Sequence, residues 1–172
     1  MENVIMIKYF DENLPRVKKL ENGDCIDLRA CEVCKMNTSK LPLKAEGSLV
    51  EYSDFGPDKK FKYKKGDVLT IGLGIAMKLP KTYRCNMFPR SSTFKKYGFI
   101  LVNSVGIIDN SYCGPDDEWK AMVYCMFDGE IEYGDRLFQF EPVKVLTQEF
   151  ELVEVPDLIS KSRGGFGSTG RK

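Results

Sequence analysis

Between Pro89 and Gly114 the chain reads PRSSTFKKYGFILVNSVGIIDNSYCG, a stretch rich in side chains suited to handling phosphate and water. Arg90, Ser91 and Ser92 set a guanidinium and two hydroxyls at the start of a predicted short helix. A guanidinium grips phosphate through paired hydrogen bonds, and a helix start offers unpaired N–H groups. Two readings of this tripeptide stand, an ordinary surface turn or an anion-binding corner. Asp109 follows Ile107 and Ile108 at the end of a predicted strand. It is either a turn-forming aspartate or a carboxylate at the mouth of a site, aligning a water. Beyond Pro156 the character changes: SKSRGGFGSTGRK holds four glycines, four cations, a single Phe and no acid. Such a tail cannot bury enough apolar surface to order itself. Its N–H groups, cations and lone ring are equally suited to wrapping phosphates and stacking on a base.

What is missing narrows the chemistry further. No histidine occurs among the 172 residues. That excludes Ser-His-Asp and Cys-His nucleophiles, HExxH zinc sites and histidine-ligated deaminase zinc. Proton transfer falls to carboxylate, Lys, Tyr, Cys or water. Lys and Arg number 26 against 25 Asp and Glu, a net charge of +1. This balance argues against a nucleic-acid coat or a polybasic membrane anchor and leaves room for a local basic site. The only apolar stretch near the start is Val4–Ile7, with no cleavage pattern after it, and no run approaches the roughly 18 residues of a membrane helix. A soluble, cytoplasmic protein is expected. Among six cysteines the one CxxC pair is Cys31 and Cys34. Without a second pair or a histidine it makes a poor zinc site, so reduced thiols are expected.

The elements that must position these groups are mostly strands. Short alternating or β-branched runs separated by Gly and Pro predict strands at Val4–Phe10, Val68–Leu79, Tyr83–Phe88, Lys120–Phe127, Arg136–Pro142 and Thr147–Val155. Ser91–Tyr97 is the short-helix candidate, opening on a serine able to cap it. The spacing suggests a mainly β fold, a sandwich or barrel of the jelly-roll type, in one domain over residues 1–156 followed by a flexible arm over 157–172. Residues 44–65 are polar and read as an insertion, with a hairpin as its simplest form.

In order along the chain stand Pro89-Arg90-Ser91-Ser92, Asn103, Gly106-Ile107-Ile108-Asp109-x-x-Tyr112-x-Gly114, Gly134-Asp135-Arg136-x-x-Gln139 and Gly164-Gly165-Phe166-Gly167-Ser168-Thr169-Gly170. Together they resemble the ordered motifs of the trimeric dUTPase family, and Cys25-Ile26-Asp27-Leu28 is similar to that family's first motif. The resemblance implies a jelly-roll-like β-barrel in a homotrimer whose active sites are shared between chains. It implies hydrolysis of dUTP to dUMP and pyrophosphate with Mg²⁺ on the triphosphate, a role that keeps uracil out of DNA. By position, Asp109 matches the carboxylate that orients the attacking water, and Asn103 and Ile108 fall in the stretch lining the uracil pocket. Tyr112 matches the ring under the deoxyribose. Arg90, Ser91, Ser92 and Gln139 match phosphate contacts, and Asp27 matches the carboxylate behind the metal's water shell. Phe166 matches the arm aromatic that closes over uracil, with Gly167, Ser168 and Thr169 at the outer phosphates.

The chain departs from the family pattern in three places. Lys161 stands where the family usually has Arg, with Arg163 two residues on, so the terminal-phosphate grip falls to either Lys161, a point charge, or Arg163, a fork. Ser92 replaces a usual glycine. Residues 44–65 and 115–119 are longer than in compact members. The second of these, Pro-Asp-Asp-Glu-Trp, is read either as a surface loop or as an edge of the pocket or trimer contact. Two rivals follow from the same resemblance. One is a dCTP deaminase, or bifunctional deaminase and dUTPase, for which Glu118 is the nearby acid. The other is an added protein-binding regulatory role carried by residues 44–65.

Overall fold

The computed structural model of the chain describes residues 4–36, 50–51, 55, 58–146 and 150–157. In chain order they form β1 (Met6–Tyr9), β2 (Ile26–Arg29), β3 (Glu32–Met36), β4 (Val50–Glu51), β5 (Lys60–Tyr63), β6 (Val68–Gly72), β7 (Ile75–Lys78), β8 (Tyr83–Pro89), α1 (Thr93–Tyr97), β9 (Phe99–Leu101), β10 (Gly106–Ile108), β11 (Lys120–Cys125), β12 (Gly129–Glu132) and β13 (Arg136–Lys144). A four-stranded sheet runs β10-β8-β13-β2 and a five-stranded sheet β4-β3-β6-β11-β9, with β1-β7 and β12-β5 as two-stranded ribbons. The sheets do not close into a true barrel, and the architecture is of the jelly-roll type.

Alternation explains the layering. Along β11 Lys120, Met122 and Tyr124 face out while Ala121, Val123 and Cys125 are buried, the period-2 pattern of a half-buried strand. Inward residues of the larger sheet, Leu69, Ile71 and Val123, share one core with Leu28, Met87, Phe138 and Phe140 of the smaller. An aromatic row stitches the layers: Tyr97 stacks on Phe99 at 5.8 Å between ring centroids, and Phe99 on Phe138 at 6.2 Å. Burial pushes the thiols of Cys85 and Cys125 up to about 12, so both are inert packing groups.

Several elements depart from the sequence expectation. The single strand expected over Val68–Leu79 is two strands in different sheets, broken at Gly74. Gly74 has φ +64, and a Cβ there would meet Cys31 Sγ at 2.7 Å and Leu14 Cδ2 at 2.9 Å. Expected strand Thr147–Val155 is not formed over its described part: residues 150–155 are exposed and extend no sheet. Within the 44–65 stretch, β5 does not fold back on its own neighbours. It pairs with β12, and Tyr63 is buried, donating from Oη to Tyr97 O at 2.6 Å. Helix α1 begins two residues later than expected, and Ser92 makes no side-chain cap bond. The start is anchored instead by buried Thr93, whose Oγ1 donates to Leu137 O at 2.6 Å.

Candidate active site

Two surfaces gather the expected site residues. The first is a cavity of ≈ 440 Å³ whose lining includes Asn103, Ile108, Asp109, Tyr112, Glu118 and Trp119. It forms where the chain passes from one sheet to the other, since β9 pairs with β11 and β10 with β8. Between them Ser104 adopts φ 61, and its N–H donates to Leu101 O at 3.1 Å. That turn brings exposed Asn103 to the cavity rim. Register Ile108↔Cys85 holds the end of β10, so Asp109 follows at a fixed edge, exposed to solvent. A turn then closes with Tyr112 N donating to Asp109 O at 3.1 Å, and both residues line the cavity.

The 115–119 stretch is exposed at Pro115 and Asp116 and turns inward at its end, where Glu118 and Trp119 line the cavity. Trp119 is 1% exposed, with its ring edge-on to Phe140 at 5.2 Å. Its indole N–H is buried with no acceptor among the described residues. Glu118 Oε1 accepts from Gly74 N at 2.9 Å, and Oε2 lies 3.4 Å from Lys120 Nζ.

The second surface is built on β2, β8 and β13. Asp27 stands opposite Gln139 across the β2–β13 ladder, and Gln139 stands opposite Phe88 on β8. Arg90, just past β8, directs Nε to Asp27 Oδ1 at 2.7 Å. Arg136 Nη1 reaches Asp27 Oδ2 at 3.1 Å. Two guanidiniums held on one carboxylate are thereby pre-aimed, with their remaining N–H groups available to an anion. Ser91 and Ser92 follow Arg90, Ser91 exposed and Ser92 half-buried. Helix α1 starts directly after them. The helix is five residues long, and its first N–H, that of Thr93, already donates to Arg90 O at 2.9 Å. The patch runs into a cavity of ≈ 470 Å³ lined by Arg16, Lys18, Asp27, Arg29 and Arg136. Arg136 carries no role in the sequence expectation, although it sits in the Gly134-Asp135-Arg136 stretch. Its partner Asp27 is 109 positions away, so only the strand register discloses the pair.

Asn103, Ile108, Asp109 and Tyr112 thus share one cavity, and Asp27, Arg90 and Gln139 share another face. The first cavity is lined by none of the second set. Lys161, Arg163, Phe166, Gly167, Ser168 and Thr169 lie outside the described residues.

Comparison with known proteins bears directly on this arrangement. The family model for dUTPase matches residues 56–170. The SPbeta prophage-derived deoxyuridine 5'-triphosphate nucleotidohydrolase of Bacillus subtilis (strain 168) is 39% identical over 168 residues, 98% of this chain and 99% of that protein. The chain belongs to the dUTPase family. A dUTPase family enzyme of Shewanella sediminis, a deoxyuridine 5'-triphosphate nucleotidohydrolase, is 38% identical over 62% of this chain and 70% of its own. Among solved structures, a Staphylococcus bacteriophage 80alpha dUTPase with dUpNHpp superposes with TM-score 0.69 at 17% identity, covering 98% of this chain and 99% of that one. The Streptococcus mutans dUTPase superposes with TM-score 0.60 at 21% identity, over 88% and 98% of the two chains. These structural matches establish a shared fold for the dUTPase chain. No helix among the described residues is long and apolar enough to cross a membrane.

Proposed function

We infer that the chain hydrolyses dUTP to dUMP and pyrophosphate, in a homotrimer whose active sites each combine the two surfaces from different chains. The observation that carries this reading is their separation. One surface is a cavity of ≈ 440 Å³ whose lining includes Asn103, Tyr112 and Asp109. The other presents Arg90 and Arg136 for phosphates, and neither is a complete site alone. An exposed apolar strip supports assembly: Ile100, Met122 and Tyr124 lie on the outer side of β9 and β11, where Ile100 and Tyr124 are register partners, and Val102 follows just past β9. Solvent-exposed apolar residues gathered in this way mark association surfaces.

Chemically the roles divide cleanly without histidine. Attack at the α-phosphorus needs a water aligned opposite the leaving pyrophosphate, charge neutralisation and exclusion of bulk water. Asp109 accepts a hydrogen bond from that water and aims its lone pair. Arg90, Ser91, Ser92 and Gln139 bind phosphate oxygens and stabilise the charge that leaves with pyrophosphate. Asn103 reads the uracil edge. Cytosine reverses donor and acceptor at two edge positions and would leave buried groups unpaired, a larger penalty than one lost contact. Tyr112 packs under the deoxyribose, where a ribose 2′-hydroxyl collides. The arm, with Lys161, Arg163, Phe166, Gly167, Ser168 and Thr169, covers the base and outer phosphates and excludes water.

Mg²⁺ fits this donor set as a cation arriving on the triphosphate. Asp27 is the carboxylate of the phosphate surface, and both its oxygens face guanidiniums. A single carboxylate suits an ion that keeps most of its waters, and the described residues hold no cluster of three or more acidic, Cys or His ligands. When bound, the ion neutralises phosphate charge, and Asp27 would hold its water shell. A phage phi11 dUTPase, 15% identical with TM-score 0.65 over 92% of this chain and 100% of that one, is described with a structural Mg(II) ion. The deaminase reading is disfavoured because Glu118 is committed to the Gly74 N–H and to Lys120.

Subunit mixing tests the composite site. Asp109→Asn and Arg90→Ala proteins should each be nearly inactive. Denatured together and refolded at equal amounts, they should recover activity in about a quarter of sites, as random assembly of complementary halves requires. Release of pyrophosphate from dUTP is the readout. No recovery above the separate variants would place each site within one chain.

A further inference from the structure

The stretch between the Tyr112 turn and β11 is held to the molecule from both sides. Trp119 N donates to Ile75 O at 2.8 Å, and Trp119 O accepts from Leu73 N at 2.9 Å, so the backbone bridges β7 and the Gly72–Gly74 corner. Asp117 Oδ2 accepts from Gly114 N at 2.6 Å and closes the loop on itself. Lys8 Nζ on β1 donates to Pro115 O at 2.5 Å. In the middle sits Glu118, its side chain 14% exposed, with Oε1 accepting the Gly74 N–H at 2.9 Å. The fit is close: a Cβ on Gly72 would stand 2.8 Å from the same oxygen. Glu118 also faces the cavity through its main chain, because its carbonyl oxygen accepts the Tyr112 hydroxyl at 3.0 Å.

We propose that Glu118 is a positioning residue for Tyr112, fixing the angle of the ring beneath the sugar and so setting the preference for deoxyribose over ribose. The proposal rests on the reading of Tyr112 as the sugar-packing ring. Tyr112 is 43% exposed, and an open ring on a turn has rotamer freedom. Its hydroxyl bond to the Glu118 carbonyl removes that freedom only if the carbonyl is itself fixed. The carbonyl shares its peptide unit with the Trp119 N–H, which donates to Ile75 O at 2.8 Å, and the Gly74–carboxylate bond adds the side-chain tie that holds residue 118 to the corner between β6 and β7, core-anchored through Leu73 and Ile75. A ring free to tilt would yield to a 2′-hydroxyl at little cost. A ring tied at its tip repels it.

The functional element of Glu118 is an acceptor oxygen, not a charge. Its ion pair with Lys120 is long, at 3.4 Å, and Lys120 is 51% exposed, the setting in which such pairs contribute little. Glu118→Gln keeps an acceptor for Gly74, whereas Glu118→Ala removes it. The ratio of kcat/KM for dUTP over UTP should fall about tenfold in Glu118→Ala, the scale of one lost positioning hydrogen bond, and return to within about threefold of wild type in Glu118→Gln. Tyr112→Phe, which deletes the hydroxyl without touching the loop, should give a similar fall. The double variant Tyr112→Phe with Glu118→Ala should fall no further, as for two parts of one device. Binding of dUMP against UMP, followed by Trp119 fluorescence, reads the same preference without turnover. A wild-type chain that selects dUMP but leaves dUTP intact would sink the hydrolytic reading and not this one. An unchanged ratio in folded Glu118→Ala overturns the proposal. So does an unchanged ratio in Tyr112→Phe, which decides the matter even if Glu118→Ala fails to fold.

Discussion

Asp109→Asn lowers kcat for dUTP by about 10³-fold or more, within the range set by a positioned proton acceptor, while the Kd of a non-hydrolysable dUTP analogue stays within a few-fold of wild type. Asparagine has the same shape, and the local fold is held by main-chain bonds the change does not touch. These are the Ile108↔Cys85 pairing before residue 109 and the Tyr112 N to Asp109 O bond after it. What changes is the side chain's ability to accept from a water with both oxygens and to carry negative charge beside it. With no histidine in the chain and Glu118, the other acid lining the cavity among the described residues, tied to Gly74, no described lining residue stands ready to take over. Single-turnover kinetics with binding measured on the same preparations provide the check. A variant with unchanged kcat would remove Asp109 from the mechanism.

Removal of residues 161–172 should lower kcat by roughly 10²-fold or more, since a water-accessible site loses both the closure and the phosphate grip that the arm supplies. The fold should survive. The buried core is drawn from residues between Leu14 and Phe140, and the described residues after 150 are exposed. A thermal melt within a few degrees of the full-length protein, beside collapsed turnover, is the expected pair of results. Full activity in the truncated chain would make the arm dispensable.

Legibility in the sequence followed the distance over which each feature is built. The cavity lined by Asn103, Asp109 and Tyr112 was readable because the three lie within ten positions and two turns flanking β10 align them. The Asp27–Arg90–Arg136 surface was only half readable. Arg90 and Asp27 stood out by motif, but Arg136 meets Asp27 across 109 positions, and nothing local marks that pair. Tyr63 and Trp119 were obscured by their neighbours. Each sits in a strongly charged run, yet burial on a sheet depends on which face a residue takes, not on the polarity around it. The β6–β7 break was signalled by Gly72 and Gly74, but choosing between a strand interruption and a tolerated glycine required the contacts with Cys31 and Leu14. Residues 150–155 show the reverse error. Their composition suits a strand, and no sheet edge receives them.

The central claim is that this chain selects dUTP and cleaves it between the α- and β-phosphates. It is tested most directly by identifying the products formed from dUTP, dCTP and dTTP, each incubated with the purified protein and Mg²⁺. The account predicts dUMP and pyrophosphate from dUTP, little turnover of dCTP or dTTP, and no ammonia from any of them. Ammonia released from dCTP, or equal hydrolysis of all three nucleotides, would contradict it.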